Sequence, residues 1–209
     1  MKRLFIFAAT ALFAVNFISC SNEAVEKVDD SKLSIKRVKA IENYNDVFNS
    51  NLNYLVKTRS ITDCASQDNY DSISVVMGKE IVEKLSFASN TLIAEFGITD
   101  NDFIEVIKEV TEEQNLIDVP SLEEAKCITA LSILDIYLHD KDNILNTKTR
   151  ANELDYILCL GGGFGVKDMV NAGGRAIAKK ILTRAAVRMM PGFGWAYGAM
   201  SAAYCIANL

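Results

Sequence analysis

Apolar residues recur at intervals of three and four along most of the chain. From Leu33 to about Val56 they stand at Leu33, Ile35, Val38, Ile41, Tyr44, Val47, Phe48, Leu52 and Leu55, which predicts an amphipathic helix. Thr58 to Asn69 is polar and reads as a loop. Asp71 to Phe96 predicts a second long helix with Val75, Val76, Ile81, Val82, Leu85, Leu92 and Ile93 on its inner side. Gly97 follows as a C-terminal stop, because glycine tolerates the left-handed conformation found there. Thr99 or Asp100 caps a third helix to about Gln114. Ser121-Leu122-Glu123-Glu124 has the spacing of a capping box and opens a helix to about Leu138 that carries Cys127, Leu131, Leu134 and Ile136. His139 to Thr147 reads as a polar loop, and Thr149 to Leu160 as another helix. No segment alternates as a strand would. The expectation is an all-α fold, an irregular bundle of about six to seven helices.

The pattern changes at Gly161-Gly162-Gly163-Phe164-Gly165. Consecutive glycines cost helix stability, roughly 1 kcal/mol each against alanine, so they mark a break or a close backbone approach. They do not make a phosphate loop: Val166 and Asp168 stand where glycine is needed, and no GK[ST] follows. Val166 to Met190 predicts a helix with a weak point at Gly173-Gly174. Ala178, Ile181, Leu182, Ala185 and Met189 share one sector, and Arg175, Lys179, Lys180, Arg184 and Arg188 form a basic face across the rest. After Pro191-Gly192 the final stretch to Leu209 has no charged side chain. As a helix it sets Gly194, Gly198, Ser201 and Cys205 on one stripe, a candidate for helix packing or membrane contact. Together these two segments predict a Gly-rich, apolar C-terminal helical hairpin. Their composition loosely resembles the membrane-active ends of some bacteriocins and pore-forming toxins, over residues 160–209.

The first residues stand apart. Met1-Lys2-Arg3 precedes a mostly apolar run from Leu4 to Ile18 that matches a secretory signal and is short for spanning a bilayer. It ends at Phe17-Ile18-Ser19-Cys20, which resembles the lipobox of bacterial lipoprotein precursors. That resemblance implies diacylglycerol on the Cys20 sulfur, cleavage before it and acylation of the new amine. It implies a membrane as partner, and Ser21 after the cysteine implies the outer membrane, at its periplasmic face or the cell surface. The expected organisation is a signal peptide over 1–19, a flexible polar tether over 20–31 and a single helical domain over 32–209.

Charge divides that domain. Loss of Lys2 and Arg3 with the leader takes the formal net charge from −5 to −7. Residues 20–145 carry a net of −12, and residues 146–209 a net of +5. Either the acidic and basic parts dock on each other, which is the first expectation, or the basic end meets an anionic surface. Nothing resembles a nucleic-acid module. Beyond Cys20, the thiols Cys64, Cys127, Cys159 and Cys205 are even in number and allow three pairings. One or two disulfides are expected, and the pairing Cys159–Cys205 with Cys64–Cys127 would bracket the Gly-rich end.

Candidate chemistry is sparse. His139, the one histidine, stands in a polar helix end where such residues usually cap carbonyls. Asp140-x-Asp142 and Asp100-x-Asp102 start like calcium loops but put Ile144 and Ile104 at the next ligand place. Glu112-Glu113 and Glu123-Glu124 fit solvated or helix-start carboxylates. No CxxC, GxSxG or SxxK element occurs. The expectation is therefore a non-enzymatic, membrane-anchored interaction or structural protein without cofactor or metal, with a protein partner. The alternatives are a membrane-active protein working through residues 166–209 and a binder of small apolar ligands.

Overall fold

The computed structural model describes residues 33–53, 67–145, 165–188 and 194–207, without the side chains of 67–74, 141–145 and 188. All of these residues belong to one compact unit, Ser31–Leu209. The signal peptide over 1–19, Cys20, the tether, Cys64, the helix expected at 149–160, Cys159 and the triple glycine lie outside the described residues. Among the described residues there are seven helices and no strand: α1 (Ile35–Asn51), α2 (Gln67–Glu95), α3 (Asp100–Gln114), α4 (Leu122–Leu145), α5 (Val166–Asn171), α6 (Gly174–Arg188) and α7 (Gly194–Ala207).

The helix ends follow from local chemistry. Ser34 accepts a hydrogen bond from the Arg37 N–H and starts α1. Gly97, at φ +69°, turns the chain out of α2. Thr99 and Asp102 form a reciprocal capping box at α3, with Thr99 N–H donating to Asp102 Oδ2 at 2.8 Å. Ser121 and Glu124 do the same at α4, the Ser121 N–H donating to Glu124 Oε2 at 2.9 Å. Asn115 closes α3 in the left-handed conformation, at φ 52°.

Helix α4 is the axis of the bundle and packs on each of the other six helices. Every residue from Ala125 to Ile136 is buried. The helix does not stop near Leu138 as expected: it continues to Leu145, so His139 lies within it and not in a loop. The predicted helix from Val166 is split at Ala172-Gly173 into α5 and α6, at the expected weak point. On α2, Val76 is 63% exposed and leaves the predicted inner side, whereas Ile81, Val82, Leu85, Leu92 and Ile93 are buried.

The last two helices do not form the predicted hairpin. Helix α6 lies on α3 and α4, while α7 lies on α2 and α4. Different chemistry directs them: α6 offers cations to an acidic helix, and α7 offers a small-residue face of Ala196, Ala199, Ala202 and Ala203 that lets helices approach closely. A close approach lies between α7 and Gly78 of α2, where a Cβ would overlap the Ala196 backbone carbonyl.

Candidate functional site

Three arrangements gather polar or reactive groups. The first is a charged clasp between α3 and α6. Glu105, Glu109 and Glu113 follow at intervals of four on α3, and Arg175 and Lys179 at the same interval on α6, so each set lies along one face. The Arg175 guanidinium bridges Glu105 and Glu109. Lys179 Nζ lies 2.8 Å from Glu113 Oε1 and 3.1 Å from Glu109 Oε2. The hydrogen bonds from Lys179 and then Arg175 hold the Glu109 carboxyl below its usual range, and Glu113 and Glu109 raise the Lys179 ammonium above its own. Docking of acidic on basic segments is thus realised for these residues. Lys180 Nζ is 3.8 Å from Asp168, Arg184 is half-buried, and the Arg188 side chain lies outside the described residues.

The second is a set of polar groups inside α4. Thr129 and Ser132 donate to the carbonyls of Ala125 and Ile128, each at 2.8 Å, which satisfies their hydroxyls within the helix. Lys126 is buried yet paired, 2.8 Å from Asp100 Oδ1. Asp135 differs. It is 1% exposed, and neither carboxylate oxygen has a hydrogen-bond partner. One turn on, His139 Nε2 stands 3.4 Å from Asp135 Oδ1. The ring nitrogen that faces Asp135 is turned into the bundle. Among the described residues no group of three or more His, Cys, Asp or Glu is placed to hold a metal ion.

The third surrounds Cys127. Tyr44 Oη lies 3.3 Å from Ser89 Oγ, and both side chains lie near the Cys127 thiol. Burial pushes that thiol up to about 12, and burial likewise raises the Tyr44 phenol. Cys127 is a free, fully buried thiol, which overturns the expected Cys64–Cys127 disulfide. A small thiol on the inner face of a core helix packs as a hydrophobe. No disulfide joins two described residues. Cys205 is engaged in a disulfide whose other half lies outside them.

The predicted stripe on α7 is divided by the packing. Gly198 is buried, Gly194, Ser201 and Cys205 are half-buried, and Tyr204 is exposed. Gly194 starts the helix at φ +70° beside Asp118. Trp195 is buried and donates its indole N–H to the Asp118 carbonyl at 3.0 Å. This contact fixes the α3–α4 connection, on which Ile117 and Val119 project into solvent. No described helix is long and apolar enough to cross a membrane.

Two features that matter for the packing escaped the sequence pattern. Gly78 signals itself only as a lone glycine inside a long helical run. Asp135 signals itself as the one acid in the apolar stretch from Ile128 to Ile136. No family model matches the chain, and no curated protein and no solved structure matches it either.

Proposed function

We propose that the protein is a lipid-anchored extracytoplasmic helical bundle that binds or braces another macromolecule and carries no catalytic task. The observation that carries the reading is the leader ending in Phe17-Ile18-Ser19-Cys20, which places an acylatable cysteine directly before a polar segment. Two or three acyl chains on Cys20 would exceed the single chain that binds membranes only marginally. The outer membrane is the proposed address. The candidate partner contact is the α3–α4 connection, where Ile117 and Val119 are held outward by the buried anchor between Asp118 and Trp195.

What favours this reading over a membrane-active one is the placement of residues 166–188 and 194–207. The apolar face of α7 is already covered by α2 and α4, and Arg175 and Lys179 already face carboxylates. Inserting α7 into lipid would strip the bundle of Trp195, Met200, Ile206 and five alanines from its core.

Metabolic labelling with palmitate tests the anchor: the wild-type chain takes up label and fractionates with membranes, and Cys20→Ala abolishes both. An unlabelled wild-type chain refutes the anchor. Release of dye from anionic liposomes by residues 20–209 refutes the non-lytic role. A reproducible hydrolase or transferase activity in the purified domain refutes the non-enzymatic one.

A further inference from the structure

We propose that the N-terminal turn of α1 is a docking surface for an anionic lipid headgroup layer, on which the bundle stands end-on. The proposal rests on the lipid anchor at Cys20. Its first support is an inversion of ordinary helix chemistry. Helices α3 and α4 begin with acids, Asp100 and Asp102 and then Glu123 and Glu124, which complement the positive end of the helix dipole. Helix α1, like α6 with Arg175, has no acid in its first turn; it carries Lys36 and Arg37 there and Lys39 just after. Arg37 has a structural role: its Nε donates to the Glu95 carbonyl at 3.3 Å, and its guanidinium lies 4.9 Å from the Phe96 ring centroid. Lys36 reaches Glu95 Oε2 at 2.9 Å, yet its side chain stays 79% exposed, and Lys39 is exposed as well.

The second support is Ile35, 77% exposed at the very tip of the helix. At 100° per residue, Ile35, Lys39 and Lys36 fall within about a 100° arc, an apolar tip beside two cations. Among the described residues, Glu95 is paired with Lys36 and Asp100 with Lys126, while Asp102 accepts hydrogen bonds from the Thr99 cap. Farther along α1 the exposed positions turn acidic, at Glu42 and Asp46. An anionic surface therefore attracts the tip and repels the flank, which gives the end-on orientation.

The third support is the length of chain between anchor and helix. Leu33 follows Cys20 by thirteen residues. Even fully extended, that chain reaches no more than about 45 Å. Confinement near the bilayer lets a contact of one apolar side chain and two lysines suffice, because its effective concentration is high.

The test uses the full lipidated chain in vesicles of phosphatidylethanolamine and phosphatidylglycerol. A photoreactive benzoylphenylalanine replaces Ile35 in one preparation and Ser50, at the far end of α1, in another. Phospholipid adducts are expected at position 35 at about fivefold the yield at position 50. The ratio should fall below about twofold in 1 M salt, where the screening length shrinks to ~3 Å. It should fall likewise in vesicles lacking the anionic lipid and in the Lys36→Glu/Lys39→Glu chain. The salt and lipid arms use unaltered lysines, so they do not depend on how that double variant folds. Equal yields at the two positions, a ratio indifferent to lipid charge, or adducts to protein in place of lipid would each overturn the proposal. Palmitate labelling separates the two levels. A labelled chain with equal yields refutes docking alone, whereas an unlabelled chain refutes the anchor and the docking with it.

Discussion

Replacing Gly78 by alanine tests the packing that holds α7 in the bundle. A Cβ at this position would overlap the Ala196 carbonyl and come within 3.1 Å of the Ala196 Cα. Both lie well inside the ~3.5 Å at which such atoms rest, and both belong to backbone, so no rotamer change relieves them. The α2–α7 pair must part by more than about 1 Å, a gap that forfeits roughly half or more of the attraction between the facing atoms. Overpacking of this kind typically costs up to about 3 kcal/mol. Alanine returns roughly 1 kcal/mol through its better helix propensity. The net expectation is a loss of about 2 kcal/mol. For a domain of this size that is a fall in Tm of about 4–8 °C.

Urea unfolding followed by Trp195 fluorescence gives the measurement, since Trp195 lies in the segment that moves and is the only tryptophan. The midpoint should fall with little change in slope. Gly173→Ala is the control, because nothing lies within 4 Å of a Cβ there, and it should stay within about 0.5 kcal/mol of wild type. Adding Ala196→Gly should not rescue Gly78→Ala, because the obstructing atoms are the backbone of residue 196. A Gly78→Ala chain as stable as wild type, or more so, would refute the α2–α7 contact and leave only the propensity gain.

Other perturbations read the remaining arrangements. His139→Leu leaves the Asp135 carboxylate without its neighbour and should cost about 2–4 kcal/mol, whereas Asp135→Leu/His139→Leu should recover most of it, as buried pairs replaced together usually do; additive losses in a double-mutant cycle would refute the pairing. Glu109 has a lowered folded pKa, so its contribution is present above its ordinary 4.5 and is lost as pH falls through the folded value. Glu109→Gln should therefore flatten the acid side of the stability curve, and the Tm loss of Glu109→Lys should shrink in high salt; unchanged acid and salt dependence would refute the clasp. Lys179 has a raised folded pKa, so its part is complete below 10.5 and fades as pH rises through the folded value. Cys127, pushed up to about 12, should resist iodoacetamide at pH 8 until denaturant is added, as peptide mapping would report; labelling of the folded chain would contradict its burial.

Helix boundaries were legible where local chemistry decides them. Thr99, Gly97 and the Ser121–Glu124 box act within a few residues of themselves, and the structure uses each one. The end of α4 was not legible for the complementary reason. The polar run from His139 to Asn143 has little cause of its own to be helical, and the helix continues because neighbours cover the turns before it. His139 shows this: its Nε2 faces the buried Asp135 one turn back, so a residue that reads locally as a solvent cap serves a tertiary pairing.

The C-terminal segments show the same limit in another form. Composition predicts that α6 is basic and amphipathic and that α7 is small-sided and uncharged, but each property specifies a surface without naming what covers it. For α6 the covering surface could be inferred, because the acids it needs recur on α3 at its own spacing of four. Charge periodicity on both helices fixes the pairing of Arg175 and Lys179 with Glu105, Glu109 and Glu113. For α7 no such code exists. A small-residue face fits any helix that can approach closely, and its partner is chosen by a single glycine on α2, more than a hundred residues earlier in the chain. Gly78 stands in a helix whose own periodicity gives it no task, and it acquires one only when Ala196 is brought against it. A glycine kept inside a long helix despite its cost of about 1 kcal/mol is therefore the cue to seek a close-packed neighbour.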